Sequence, residues 1–383
     1  MASESKRLPL NRHALRALLR GVRGGLTRRR LRTWAGFTLG FFAFRAIVQA
    51  GRRLDGWLYP EAEAQPIQAP VFIFAVARSG TTLLHRLMCF DEERFVPFRL
   101  YQSMFSAVCY QRLLRALGRV DGPLLGGRLA SLVDRINARF FGGWEGIHEL
   151  GIDQPEEDET TFVLGLYTPT VTLAFPFLES VFEFDRFDAL PAEERERFMD
   201  YYEDTLRRHL FASGPERTFL NKNVFFSSRV RSMRERFGDA RFIYLVRHPY
   251  EAIPSLLDMF HQAWITHSPE IQKDSFEARK LAELACAYYR EGLALLEELP
   301  PSQLVVLRYE DLVADPKAAV ERIYRHLGME ISPAFAARLE AATGEQRRHR
   351  SSHHYSLEAF GLSREEVYEA LREVFETFGY ARD

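Results

Sequence analysis

The sequence predicts an α/β fold, in which helices flank a parallel sheet, with a helical insertion and a basic amphipathic N-terminal arm. Short apolar runs such as VFIFAV at 71–76 and RFIYLV at 241–246 predict the strands, and a helical pattern follows each run. Continuous apolar runs are typical of strands buried on both faces, and strands that alternate with helices form parallel sheets. Charge indicates the arm, since residues 1–53 contain 13 Lys and Arg residues but one acid.

A proline-punctuated segment, PEAEAQPIQAP at 60–70, precedes the first strand and is predicted to be a linker. We therefore assign residues 1–67 to the arm and linker, and residues 68–383 to the main domain. The three cysteines of the chain are widely spaced and form no CxxC pattern. This spacing argues against a disulfide framework or a zinc ribbon, and favours a reducing, cytoplasmic compartment.

Within the arm, leucines between Leu15 and Leu26 recur at helical spacing while arginines fill another face. This is the pattern of a basic amphipathic helix. The apolar stretch Trp34–Ala50 follows, but it contains Arg45 and is shorter than the roughly 20 residues that span a bilayer. We expect residues 1–53 to lie on an anionic membrane surface, peripherally and on its cytoplasmic face, and to bind lipid rather than nucleic acid. The alternative is that the aromatic stretch packs on the body of the protein.

The other strands and helices are predicted in pairs along the chain. A helix at 82–88 follows the strand at 71–76, and helices at 230–237, 250–263 and 317–327 follow strands at 218–220, 241–246 and 304–309. The stretch 100–215 is mainly helical in pattern. It is expected to cover the sheet or to wall a substrate pocket.

The turn after the first strand has the composition of an anion-binding, P-loop-like element. Five residues form it: Arg78, Ser79, Gly80, Thr81 and Thr82. Backbone N–H groups converge at a helix N-terminus, where the helix dipole also favours negative charge. A nucleoside triphosphate loop, GxxxxGK[ST], has a lysine directly after its second glycine. Thr81 stands there and Ala75 replaces the first glycine, so a polyphosphate with magnesium fits this loop poorly.

A second segment, RFIYLVRHPYEAIPSLLDMF at 241–260, also carries polar groups suited to phosphate. Arg247 ends the buried strand, Pro249 can open a helix, and Ser255 lies eight residues after the arginine. A guanidinium group offers bidentate, charge-assisted hydrogen bonds to phosphate oxygens, and a hydroxyl adds a further donor.

Together these segments resemble the sulfotransferases that use 3′-phosphoadenosine-5′-phosphosulfate (PAPS). In that family a Lys or Arg precedes Ser-Gly-Thr-Thr in the 5′-phosphosulfate loop, so the resemblance implies that residues 78–82 bind this group. It also implies that Arg247 and Ser255 bind the 3′-phosphate. The segments at 304–329, 144–164 and 347–363 extend the resemblance over residues 68–380, toward a larger bacterial-type subgroup that acts on lipids and other small hydroxylated molecules.

The resemblance implies transfer of a sulfuryl group from PAPS to a hydroxyl of a small, hydrophobic or lipid-like acceptor, with 3′,5′-adenosine bisphosphate as product. Two other classes are weighed against it. A P-loop kinase or NTPase is disfavoured by the missing lysine. The second class is a non-catalytic, membrane-associated nucleotide-binding scaffold. Such a scaffold would need none of Arg78, Gly80, Arg247 and Ser255, so the presence of all four residues argues against it. The acceptor's identity and the oligomeric state stay open.

Sulfuryl transfer resembles phosphoryl transfer, in which catalysis is mostly positioning and electrostatic stabilisation. Arg78 occupies the position of the family's loop cation, and Lys222 in FLNKNVF matches its strand-end lysine. Because these two cations supply the positive charge, no metal is expected. Arg350, in the basic run 347–350, is expected to close over the cofactor.

The base that takes the acceptor's proton is left open by the sequence. Val224 occupies the position where many cytosolic family members have a histidine, two residues after the lysine. The acidic segment 156–159 is the best substitute, with Glu157 and Glu159 as first candidates. His148 is the alternative base.

Overall fold

The computed structural model describes residues 7–24, 27–141, 152–346 and 355–382. Six strands form one sheet within these ranges. The strands are β1 Val71–Ala75, β2 Phe95–Arg99, β3 Pro155–Glu156, β4 Thr218–Asn223, β5 Arg241–Val246 and β6 Leu304–Arg308. Their order across the sheet is β3-β2-β4-β1-β5-β6, and every pairing is parallel except that of β2 with β3.

The central strand β1 is buried on both faces, which confirms the parallel α/β fold predicted from the apolar runs. Side chains of a strand alternate between the two faces of a sheet. Phe72 and Phe74 belong to one hydrophobic cluster, whereas Val71 and Ile73 belong to another on the opposite face. The ring of Phe74 stacks on Tyr244 of the neighbouring β5, with 5.0 Å between centroids.

Two strands were not predicted. β2 contains Pro97, which has no N–H group and argues against a strand in the sequence. β3 has two residues and pairs antiparallel with the end of β2, with Phe98 opposite Glu156. This short pairing places the acidic segment 156–159 at the sheet edge where the parallel strands end.

Helices cover both faces of the sheet, and those within residues 100–215 form the predicted helical insertion. In the N-terminal third they are α1 Arg12–Gly24, α2 Arg28–Leu58, α3 Thr81–Cys89, α4 Leu100–Met104, α5 Val108–Leu125 and α6 Arg128–Phe141. In the middle third they are α7 Glu159–Gly165, α8 Val181–Asp185, α9 Ala192–Ser213, α10 Val230–Arg236 and α11 Pro249–Ile265. The last are α12 Phe276–Glu298, α13 Tyr309–Ala314, α14 Pro316–His326, α15 Pro333–Gln346 and α16 Arg364–Phe378.

Part of the N-terminal arm packs on the body. One side of α2 buries Trp34, Phe41 and Val48 in a cluster that includes Phe175 and Tyr201. The indole of Trp34 donates a hydrogen bond to the carbonyl of Ala174 at 3.0 Å. The alternative that the aromatic stretch packs on the body therefore holds for this side of α2.

Buried charges also attach α2 to the body. The guanidinium of Arg45 donates to the backbone carbonyls of Leu8, Pro9 and Leu164, which explains a cation inside an apolar stretch. Asp55 accepts the backbone N–H groups of Val108 and Cys109 and so caps α5. Among the described residues, no helix has a stretch long and apolar enough to cross a membrane.

Candidate active site

The turn between β1 and α3 has a backbone that requires glycine. Gly80 caps α3 with a φ of +87°, and a Cβ atom there would lie 2.8 Å from Cδ2 of Tyr309. Arg78, two residues earlier, also has a left-handed φ of +70°. Non-glycine residues in this region cost free energy and cluster at functional sites.

The same turn presents donors suited to an anion. The first N–H groups of a helix have no partner within the helix, so those at the start of α3 are available to a ligand. The Ser79 hydroxyl is buried and finds no hydrogen-bond partner among the described residues. Thr81 is buried and Thr82 is half-buried. The residue types therefore fit a phosphate-like group at this turn.

The two anion-binding segments meet in the fold. Nε of Arg78 donates to Oγ of Ser255 on α11 at 3.1 Å, and Nη1 of Arg247 donates to the carbonyl of Arg78 at 2.7 Å. Arg247 also pairs with Glu251 at 2.7 Å. β1 and β5 are adjacent and parallel, so their carboxyl ends bring these residues to one edge of the sheet.

Two tyrosines that the motifs did not indicate line this edge. The ring of Tyr309 packs against Gly80, and its centroid lies 4.3 Å from the Arg247 guanidinium carbon, a cation–π contact. Tyr355 hydrogen-bonds the Arg78 side chain. Burial lowers the pKa of the Arg78 guanidinium, while the Tyr355 hydroxyl raises it and neighbouring Arg247 lowers it further.

Lys222 and Glu157 form a close ion pair at the end of β4. Nζ of Lys222 lies 2.6 Å from Oε1 of Glu157, and the two side chains are 1% and 16% exposed. Burial raises the pKa of the Glu157 carboxyl above its ordinary 4.5, and Lys222 offsets only part of that rise. Burial lowers the pKa of Lys222, but the carboxylates of Glu157 and Glu156 more than compensate, so it stays above 10.5.

The other members of the acidic segment are held by the protein. Glu159 accepts hydrogen bonds from the hydroxyls of Thr168 and Thr170, from the Asn223 amide at 2.7 Å, and from Arg229 at 3.3 Å. This leaves Glu157 as the less constrained of the two candidate bases.

Asp158 is fully buried and accepts from Tyr202 at 2.5 Å and from Asn223 at 2.7 Å. Burial raises the pKa of Asp158, and the donors Asn223 and Tyr202 lower it in part. The Asn223 amide therefore bridges two carboxylates of the segment. It follows Lys222 directly in the chain, which is the one signal that could have indicated it.

Two predicted residues, His148 and Arg350, lie outside the described residues. Their roles stay predictions. Within residues 7–24, 27–141, 152–346 and 355–382, no group of three His, Cys, Asp or Glu side chains could hold a metal ion.

Residues 70–333 match the model of the sulfotransferase family, more than half of the chain. The chain belongs to this family. Our sulfotransferase is 26% identical over 341 residues to the omega-hydroxy-beta-dihydromenaquinone-9 sulfotransferase Stf3 of Mycobacterium tuberculosis, covering 84% of this chain and 78% of the relative. The Stf3 of Mycobacterium bovis matches equally well.

Solved structures share the fold of this sulfotransferase. The crystal structure of the sulfotransferase STF1 from Mycobacterium tuberculosis matches with a TM-score of 0.69 and 20% identity, over 97% of this chain and 93% of that one. STF9 from Mycobacterium avium matches with a TM-score of 0.69 and 19% identity, over 100% and 93% of the two chains. At these identities the likeness concerns the fold.

Proposed function

We propose that this sulfotransferase transfers a sulfuryl group from PAPS to a hydroxyl group of a small, hydrophobic, lipid-like acceptor. The contact between the two anion-binding segments carries the proposal. Arg78 donates to Ser255, and Arg247 donates to the backbone of Arg78. One edge of the sheet thus gathers two guanidinium groups and a helix N-terminus, which suits a ligand with two separated anionic groups.

The proposed roles divide between two groups of donors. The N-terminus of α3, the Ser79 hydroxyl and Arg78 would hold the 5′-phosphosulfate, whereas Arg247 and Ser255 would hold the 3′-phosphate. Tyr309 fixes the Arg247 side chain through the cation–π contact. Bound PAPS supplies the sulfuryl group and leaves 3′,5′-adenosine bisphosphate.

Glu157 is the proposed base, and Lys222 is the proposed cation for charge that develops on the leaving phosphate. In the absence of ligand, each neutralises the other through their 2.6 Å contact. When Lys222 turns toward an incoming anion, it releases the Glu157 carboxylate, whose raised pKa favours uptake of the acceptor's proton. Glu159, held by four donors, would position the segment.

The acceptor class is supported by the relative named for an omega-hydroxy-beta-dihydromenaquinone-9 acceptor. That name describes a hydroxyl group on a lipid-like molecule. We infer the same class of acceptor for this chain, a hydroxyl-bearing lipid-like molecule, and assign no particular compound.

Thermal melts test the donor site. 3′,5′-Adenosine bisphosphate should raise Tm, because a ligand at a hundredfold excess over its Kd stabilises the native state by about 2.7 kcal/mol. ATP with magnesium should leave Tm near that in buffer. Stabilisation by ATP with magnesium but not by the bisphosphate would overturn the proposal and favour a kinase or NTPase. The Arg247→Ala variant is the control, since it should lose most of the bisphosphate effect.

A further inference from the structure

The side of α2 that faces away from the body is apolar and exposed. Successive residues of a helix are 100° apart, so the side opposite the buried stripe of Trp34, Phe41 and Val48 can be identified from the numbering. Leu39 is 76% exposed and Trp57 is 85% exposed. The exposed apolar residues on this outward side are Ala35, Leu39, Phe42, Ala43, Ala46, Ile47, Ala50, Leu54 and Trp57.

Arginines flank the apolar residues 35–50 on this outward side. Arg28 and Arg32 are exposed on the same side before them, and exposed Arg53 follows them, with Leu54 and Trp57 lying beyond Arg53. The one acid between residues 28 and 58 is Asp55, which is buried and caps α5. The outward side of α2 therefore combines a long apolar stripe with positive ends and no negative charge.

This combination suits an anionic lipid bilayer better than a second copy of the chain. Two copies paired through α2 would bring arginines toward arginines, with no carboxylate on that side to compensate them. Anionic headgroups would neutralise the same arginines, while the stripe enters the headgroup–acyl boundary. Over residues 35–50 the stripe is about 24 Å long at 1.5 Å per residue.

We propose that the outward side of α2 docks the protein on an anionic bilayer, with the helix lying in the plane of the membrane. The buried stripe already packs on the body, so the outward side is the one that can enter the lipid. Long arginine side chains at both ends can reach the headgroups while their methylene groups lie against apolar surface.

One short segment connects this docking helix with the active site. Thr168 and Thr170 hold the Glu159 carboxylate, whereas Phe175, a few residues further on, packs against Trp34 with 5.8 Å between ring centroids. Docking through α2 would therefore bring the site close to acceptors dissolved in the bilayer. This consequence rests on the proposed function, but membrane binding itself does not.

Co-sedimentation of the full chain with vesicles tests the proposal. The vesicles contain phosphatidylcholine alone or phosphatidylcholine with phosphatidylglycerol, at low and high salt. The wild type should sediment with the anionic vesicles, and high salt should weaken binding. Arg28→Gln with Arg32→Gln should weaken it about thirtyfold at low salt, roughly fivefold per arginine. Leu39→Ser with Phe42→Ser should weaken it about a hundredfold at both salt concentrations.

Phe276→Ser is the matched control, because Phe276 is an apolar side chain, 51% exposed, on α12. It should bind vesicles like the wild type. Wild-type protein that stays in the supernatant with anionic vesicles overturns the proposal, as does unchanged binding of the Leu39→Ser, Phe42→Ser variant. A dimer in sedimentation velocity that this variant converts to monomer would instead assign the surface to self-association. Stabilisation by bisphosphate is read separately in the melt, so failure of docking and failure of the donor site are distinguishable.

Discussion

Replacement of Glu157 by glutamine tests the assignment of the base. Its carboxylate lies 2.6 Å from Lys222 Nζ, and both side chains are largely buried. The amide keeps the shape of the side chain but removes the proton acceptor and the charge that compensates Lys222. We expect kcat to fall about 10²–10⁴-fold, the usual contribution of a general base. Turnover is measured with sulfur-labelled PAPS and farnesol, a prenyl alcohol, as acceptor.

The same substitution should affect stability, because it leaves a buried lysine without its counter-ion. Removal of one partner of a buried ion pair costs about 3–5 kcal/mol. Lys222→Met leaves Glu157, which can become neutral by taking a proton because its pKa is already raised. The double variant should therefore be less destabilised than the sum of the two single variants. Denaturant unfolding of all four proteins measures this coupling free energy.

The pH profile separates the base from a merely structural carboxylate. Burial raises the pKa of Glu157 above 4.5, so the wild-type kcat should rise with pH through that raised pKa as the base ionises. Glu157→Gln should lack this rise. Glu159→Gln is the matched control and should keep it, since four donors already occupy the Glu159 carboxylate. A Glu157→Gln enzyme with wild-type kcat and the same acidic limb would refute the reasoning and move the assignment to His148.

Two further predictions follow from the site and the core. Arg78→Ala should lower kcat at saturating PAPS, whereas Arg247→Ala should chiefly raise the Kd for the bisphosphate, since the 3′-phosphate never reacts. Calorimetric titration measures this Kd and steady-state turnover measures kcat. Equal losses of kcat in the two variants would contradict this division of roles. Burial raises the pKa of Asp185 from 3.8 to about 6, although Tyr288 donates to it. Its contribution to the free energy of unfolding should fall by roughly 3 kcal/mol as pH rises through this window, and Asp185→Asn should abolish that fall in denaturant unfolding.

Much of the sheet could be predicted from the sequence because its strands are buried on both faces and so form unbroken apolar runs. The four predicted strands correspond to β1, β4, β5 and β6. Each begins at the predicted residue, β5 also ends there, and the other three end within three residues of the predicted end. β2 escaped prediction because Pro97 interrupts its pattern. β3 has too few residues to show a strand-like pattern in the sequence. It forms because its two residues pair with the end of β2.

The site could be predicted where residues that bind the same group lie close together in the sequence. The turn at 78–82 and the pair Arg247 and Ser255 could be recognised because a strand, a turn and a helix start lie consecutively in the sequence. The contact between Lys222 and Glu157 could not, since 65 residues separate them and the pairing of β2 with β3 brings them together. Tyr309 was likewise missed, because its role depends on the space left by Gly80.

For the N-terminal helices, too, some features follow from the sequence and others only from the tertiary structure. The sequence by itself determined that residues 1–53 are basic, that their apolar residues recur at helical spacing, and that the apolar stretch is short for a membrane span. It did not determine which side of α2 packs on the body, because apolar residues occur nearly all round this helix. The tertiary structure decided that through Arg45, whose guanidinium reaches the carbonyls of Leu8, Pro9 and Leu164. A buried cation needs specific acceptors, so those carbonyls fix the inward side and leave Leu39 and Phe42 exposed.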